Sequence, residues 1–181
     1  MERDSVKPKG ILICDANILI DYLDVNMSIL CLATTHCYEI YVPETVLAEV
    51  RQIKGVDLNA LGIKRYELKF NHLVTAKKMS NSSSLSEEDS LCFIIAKEEG
   101  WICATNEKAL RNKCQREKVD TIRGLRFMLD LVEHGRLSTE DAISTAKKIG
   151  DMNPRMPQNV IDKFIRLIED TIPRTQKQKE Q

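Results

Sequence analysis

The chain lacks a net charge and a long apolar run. Lysine plus arginine and aspartate plus glutamate both number 27 among 181 residues, so no global electrostatic field selects a partner. A nucleic-acid surface would have to be a local patch. The apolar runs fall far short of the roughly 20 residues that a membrane-spanning helix needs, so we expect no membrane association.

Paired-cysteine motifs are also missing. Six cysteines stand mostly in apolar segments without a Cys-x-x-Cys pair, and three scattered histidines have no ligand spacing. This pattern argues against a zinc site or a disulfide framework and favours buried, reduced thiols. The charged first residues, and the break of the first apolar run at Asp15, predict no signal peptide. We therefore expect a cytoplasmic protein.

Short apolar runs alternate with helical periodicity over residues 9–135. Predicted strands cover residues 11–14, 39–42, 66–70, 101–105 and 119–122. Helices are predicted between them, including one from Pro43 to about Lys54 and one from Ser86 to Glu99 that Gly100 closes. Ser80 to Ser84 is predicted as a loop. Strands separated by helices favour parallel pairing, so we expect a three-layer α/β/α domain with a central parallel sheet.

The rest of the chain has a different pattern. Residues 136–172 predict a helical C-terminal extension in which Ser138 opens one helix and Pro157 another. The second helix carries an apolar stripe: Ile161, Phe164, Ile165 and Ile168. This stripe must cover the α/β domain or mediate self-association, and we expect a homodimer. Residues 173–181 are polar and predicted to be disordered.

Four acidic residues are candidates for a functional site. Asp15 ends the first predicted strand, with Asn17 two residues later, and the alternative is that either one only caps the next helix. Glu49 borders the apolar stripe of its helix, and the alternative is a salt-bridged surface glutamate. Asp89 follows Ser86 in a capping-box pattern, and Glu107 lies in a first helical turn, where the dipole alone favours an acid.

Parallel strands end at one edge of a sheet, which would bring Asp15 and Glu107 together. Converging carboxylates either raise one another's pKa or bind a cation. Oxygen ligands without histidine or cysteine select Mg²⁺ or Mn²⁺, and such a centre suits phosphodiester hydrolysis.

The helix after Glu107 is basic. Lys108, Arg111 and Arg116 could hold a nucleic-acid backbone that the acids repel, or they could form an ordinary solvated helix face. No aromatic residues alternate with them, so no base preference is predicted.

Four short strings together resemble PIN domains, and are similar in order and spacing to VapC-type toxin ribonucleases and related prokaryotic proteins. The strings are ICDANILIDY at 13–22, VPETVLAEV at 42–50, LSEED at 85–89 and ATNEKALR at 104–111. The resemblance covers about residues 9–135. It implies a Mg²⁺- or Mn²⁺-dependent endoribonuclease with RNA as substrate, and a possible antitoxin protein as partner.

The resemblance also implies residue roles. Asp15, Glu49 and Asp89 would be carboxylates around the metal, and Asn17 and Thr105 would support them. Glu107 stands where the family usually has aspartate, so its charge lies one carbon further out; we include it with Asp15 and Asp89 as a metal ligand. A catalytically weak or inactive domain that binds RNA or protein is the alternative.

Overall fold

The computed structural model describes residues 10–171, and the predicted tail at 173–181 lies outside them. In chain order the elements are β1 (Gly10–Cys14), α1 (Ala16–Val25), α2 (Ser28–His36), β2 (Tyr38–Pro43), α3 (Glu44–Glu49), β3 (Ile63–Tyr66), α4 (Phe70–Ser82), α5 (Glu87–Glu99), β4 (Ile102–Ala104), α6 (Lys108–Arg116), β5 (Thr121–Ile122), α7 (Leu125–Glu133), α8 (Thr139–Met152) and α9 (Gln158–Thr171).

The strands form one parallel sheet in the order β3-β2-β1-β4-β5. The central strand β1 is buried at Leu12, Ile13 and Cys14, as its unbroken apolar sequence predicts for a strand covered on both faces. Helices flank the sheet, which confirms the predicted three-layer α/β/α class.

Helix α5 has the predicted bounds because both of its ends are capped by sequence. Ser86 Oγ accepts the Asp89 N–H at 3.0 Å at the start. Gly100 ends the helix in the left-handed conformation at φ 69°, where a residue without Cβ is favoured.

Three local predictions were wrong. The third strand covers Ile63–Tyr66 rather than residues 66–70, because Ile63 and Tyr66 are the buried positions and Ile63 pairs with Ile40. Helix α3 ends at Glu49 instead of about Lys54, and a short 3₁₀ helix at Arg51–Ile53 follows it. Between the two, Val50 adopts an extended conformation and is buried.

The third concerns the predicted loop at 80–84, part of which is helical. Helix α4 continues to Ser82 because the Ser82 and Ser83 hydroxyls donate to the carbonyls of Lys78 and Met79 and satisfy the last helical turn.

The C-terminal helices α8 and α9 pack against each other, α8 also against α1, and both against α7. Helices α8 and α9 approach each other closely at Gly150, where an added Cβ would lie 3.1 Å from the Ile161 side chain. Ile161, Phe164 and Ile168 are buried by this packing. The stripe therefore covers its own chain, and it does not provide the exposed surface that motivated the homodimer prediction.

Candidate acidic centre

Two neighbouring strands bring Asp15 and Glu107 to one edge of the sheet. Asp15 directly follows β1, and Glu107 follows β4 after two residues. The Asp15 N–H donates to the Ala104 carbonyl at 3.0 Å, which extends the ladder between these strands to the acid itself. The expectation that a parallel sheet collects these side chains at its carboxyl edge is met.

Neither acid caps its helix through its side chain. Asp15 precedes α1 and Glu107 precedes α6, and neither carboxylate makes a capping hydrogen bond. The Asn17 backbone N–H nevertheless interacts with the Asp15 carboxyl and lowers its pKa, so Asp15 also interacts with the start of α1.

Thr105 joins the two acids. Its hydroxyl donates to Asp15 Oδ2 at 3.0 Å and accepts the Glu107 N–H at 3.0 Å, and its side chain is fully buried. One threonine thus fixes the Asp15 carboxylate and the backbone that carries Glu107.

Asn17 supports the same pair from α1. Its Nδ2 donates to Glu107 Oε1 at 2.9 Å. Asn17, on α1, therefore holds the side chain of Glu107, and Thr105, in the loop after β4, holds its backbone.

Asp89 approaches from the first turn of α5. Burial and the charges of Glu107 and Glu88 raise its pKa, while hydrogen bonding with Ser86 lowers it. The capping-box interpretation is correct for Ser86. It does not exclude a second role for Asp89, because the carboxyl lies near the acidic group.

Asp15 is the most strongly perturbed acid of the centre. Burial raises its pKa to about 6, with a further upward contribution from Asp89 and a smaller one from Glu107. Hydrogen bonds from the Thr105 hydroxyl and from the Asn17 backbone oppose this shift. Since Asp15 is only 4% exposed, water cannot screen the repulsion, and a nearby cation would relieve it.

Glu49 lies at the border of the group. It is the last residue of α3 and is exposed. Burial of part of its side chain, then the charges of Glu88 and Asp89, raise its pKa. Glu49 is therefore coupled to Asp89 rather than to Asp15. Glu88 was not predicted, although the acidic run at 87–89 was a visible signal.

The donor set fits a hard divalent cation in its chemistry and charge. Asp15, Asp89 and Glu107 offer carboxylate oxygens, which are the ligands of Mg²⁺ and Mn²⁺, and the charge of Glu107 raises the pKa of both Asp15 and Asp89. Among residues 10–171, however, no three acidic, histidine or cysteine side chains converge closely enough to form a ligand cluster. Their joint binding of a metal stays a prediction.

The predicted basic residues separate into two locations. Lys108 and Arg111 line a groove that begins at Asn17 and Glu107. Arg116 lines a different depression, beside Lys113 and α4.

The sequence did not predict a hydrogen-bonded network that adjoins the centre at Asn106. Asp21 Oδ2 accepts from Asn106 Nδ2 at 3.3 Å, and Asp21 Oδ1 accepts from Asn153 Nδ2 at 2.8 Å. Asn106 lies between Thr105 and Glu107, so this network ties the acidic loop to the C-terminal helices. No local pattern predicts a bond between residues so far apart in sequence.

A family model described as a PIN domain matches residues 11–170, nearly the whole described chain. None of the curated proteins matches the sequence significantly. The chain belongs to the PIN-domain family, whose members are generally nucleases and typically use divalent metal ions. No helix of residues 10–171 is long and apolar enough to cross a membrane.

Proposed function

We propose that this protein is a Mg²⁺- or Mn²⁺-dependent endoribonuclease. The observation that carries the proposal is the buried Asp15 carboxyl, which accepts from Thr105 and is repelled by Asp89 and Glu107 at the carboxyl edge of the sheet. A charged group in that position is unfavourable for folding, so a functional role explains its presence.

Each residue of the centre has a separate task. Asp15, Asp89 and Glu107 would hold the cation, which supplies an activated water and offsets charge on the reacting phosphate. Thr105 keeps the Asp15 carboxylate oriented by donating to it, and Asn17 orients Glu107. Glu49 adds negative charge on the Asp89 side of the centre.

Cations next to the centre complete the binding of an anionic substrate. Lys108 and Arg111 lie in the first turn of α6, directly after Glu107, and they line the adjoining groove. Arg111 Nη1 also donates to the Asn106 carbonyl, so its guanidinium is held beside the acidic loop. RNA phosphates would be attracted there and not to the acids.

The test is cleavage of an end-labelled RNA by the purified full chain. Cleavage should require added Mg²⁺ or Mn²⁺ and stop with a chelator. Cleavage that persists in the chelator would contradict a metal-dependent centre.

A second candidate function is a weak or inactive domain that binds RNA. One Glu107 oxygen is engaged by Asn17, and no three-residue ligand cluster forms among residues 10–171; both observations favour it. RNA binding without cleavage at any concentration of Mn²⁺ would select this alternative.

Partners belong to the same proposal. If the protein is a toxin held inactive by an antitoxin, expression of the chain should arrest growth, and co-expression of a neighbouring small reading frame should restore it.

A homodimer is a separate proposal, and light scattering that reports a monomer would contradict it. A cytoplasmic location remains part of the proposed function.

A further inference from the structure

A groove with a cavity volume of about 1260 Å³ adjoins the acidic centre. Most of its lining comes from two parts of the sequence, the segment from Asn106 to Leu129 and the hairpin of α8 and α9 from Asn153 to Leu167; Asn17 and Tyr38 complete it. Pockets for single small molecules usually measure about 300–1,000 Å³, so this groove suits a longer ligand.

The charge of the groove is strongly one-sided although the chain is neutral overall. Its cationic lining residues are Lys108, Arg111, Arg123, Arg126, Arg155 and Lys163. Glu107, at the acidic centre, is the acidic lining residue. Arg126 pairs with Asp130 at 2.6 Å, whereas Arg123, Arg155 and Lys163 have no carboxylate partner within residues 10–171. A polyanion would neutralise them.

The hairpin wall is fixed relative to the acidic centre. Asn153, at the start of the turn between α8 and α9, donates to Asp21, and Asp21 also accepts from Asn106. Asn106 Oδ1 accepts the Gly124 N–H at 3.1 Å, at the beginning of α7. The same buried acid therefore links both walls of the groove to the loop that carries Glu107.

We propose that the α8–α9 hairpin forms the second wall of a single-stranded RNA channel, in which Arg155 and Lys163 bind phosphates flanking the cleavage point. This inference rests on the proposed function and assigns a role to helices beyond the four strings that resemble PIN domains. An RNA strand with one phosphate beside Glu107 must continue past Glu107, and the cationic groove begins at this residue.

A single strand fits the lining better than a duplex. Between its cations the groove is lined by apolar side chains such as Leu125, Leu129 and Val160. Unpaired bases can turn into such a recess, which paired bases cannot do. An acidic peptide would match the charge, but it has no need to begin at a centre for phosphodiester chemistry.

The test uses the full chain carrying Asp15→Asn, so that bound RNA is not cleaved. A labelled single-stranded oligoribonucleotide of about 12 nucleotides is titrated by fluorescence anisotropy at several salt concentrations. Arg155→Gln with Lys163→Gln removes two groove cations. Lys148→Gln with Arg166→Gln is the matched control, because it removes two exposed cations of the same hairpin that do not line the groove.

Losing two phosphate contacts should weaken binding roughly 20-fold at 0.1 M salt and reduce the logarithmic salt slope by about 1.4. The control pair should change both quantities much less. Melting temperatures of both variants should stay near that of the parent, since all four positions are exposed. In the chain with Asp15 intact, the groove pair should raise KM more than it lowers kcat.

Equal losses in the groove pair and the control pair would overturn the inference, as would absence of RNA binding by the parent. Competition by poly-glutamate as effective as by unlabelled RNA would also overturn it, in favour of an acidic protein partner. Metal-dependent cleavage by the wild-type chain decides the proposed function separately. Groove-dependent binding without cleavage would contradict the nuclease and leave the channel in place.

Discussion

The acidic centre and the cationic groove adjoin at Asn17 and Glu107, yet they are built in opposite ways. The centre takes its acids from the ends of β1 and β4 and the start of α5, and it buries Asp15 almost completely. The groove takes its cations, most of them exposed, from α6, from the residues around the start of α7 and from the C-terminal hairpin. A neutral chain thus places an acidic cluster and a cationic groove side by side.

We expect the largest effects from single substitutions that separate the cleavage rate, which depends on the acidic centre, from RNA binding, which depends on the groove. Asp89→Asn should lower the single-turnover cleavage rate at saturating protein at least about 100-fold, because it removes charge at the reacting centre, and should not weaken RNA binding. Arg123→Gln should weaken binding about fivefold at 0.1 M salt and lower the saturated rate far less.

Single-turnover cleavage and anisotropy measure the two quantities on the same RNA. Asp151→Asn is the control, since it makes the same change at an exposed acid of α8. Loss of binding in Asp89→Asn with an unchanged saturated rate would reverse the assignment of the two regions.

A second prediction concerns stability without metal. The pKa of Asp15 is raised to about 6, so the native state favours its neutral form. The stability that the protonated Asp15 carboxyl contributes to the native state is fully present below about pH 4 and is lost as pH rises through 6. Asp15→Asn should therefore gain up to roughly 3 kcal/mol in free energy of unfolding relative to wild type between pH 4 and pH 7.

Urea unfolding in a chelator at both pH values measures this difference. The exposed Asp151→Asn variant should follow the wild-type dependence. A constant difference between Asp15→Asn and wild type would mean that burial does not disfavour the Asp15 charge.

A third prediction concerns Glu107, where the two regions adjoin. Mg²⁺ requires strict octahedral geometry, whereas Mn²⁺ binds a given site more tightly, so the longer side chain should favour Mn²⁺. Cleavage should be several-fold faster with Mn²⁺ than with Mg²⁺. Glu107→Asp should raise the Mg²⁺-supported rate, and Glu107→Gln should lower the rate with either ion. Identical metal titration curves for the three proteins would remove Glu107 from the centre.

The smallest effect compares two equivalent helix caps. Ser86 Oγ accepts from the Asp89 N–H at 3.0 Å, and Ser138 Oγ accepts from the Asp141 N–H at 3.0 Å. Each change to alanine should cost about 1 kcal/mol of stability. Only Ser86→Ala should also slow cleavage, because it alone releases the turn that carries Asp89. Equal cleavage rates in the two variants would show that this cap does not position Asp89.

The sequence predicted that Asp15 and Glu107 share one edge of the sheet because the determinants of that placement are local. Asp15 follows an unbroken apolar strand, and parallel pairing alone brings it to the same edge as Glu107. The third strand was predicted at the wrong residues because the alternation at 66–70 carries no information about pairing with β2. In the structure, pairing with β2 and burial select Ile63 and Tyr66.

The groove could not be predicted, because it depends on where the hairpin packs. Asn153 and Asp21 are 132 positions apart, and neither residue has an unusual local context. Arg155 and Lys163 looked like ordinary surface cations for the same reason. Long-range packing made them neighbours of Arg111 and Arg123 in one groove.

The central claim is that the acids at the sheet edge carry a metal-dependent cleavage reaction. The most direct measurement is the cleavage of labelled RNA by the full chain and by the pure Asp15→Asn/Asp89→Asn double variant, with Mn²⁺ or Mg²⁺ added. We predict metal-dependent cleavage by the wild-type chain and none by the folded double variant. Equal metal-dependent cleavage by the double variant would contradict it.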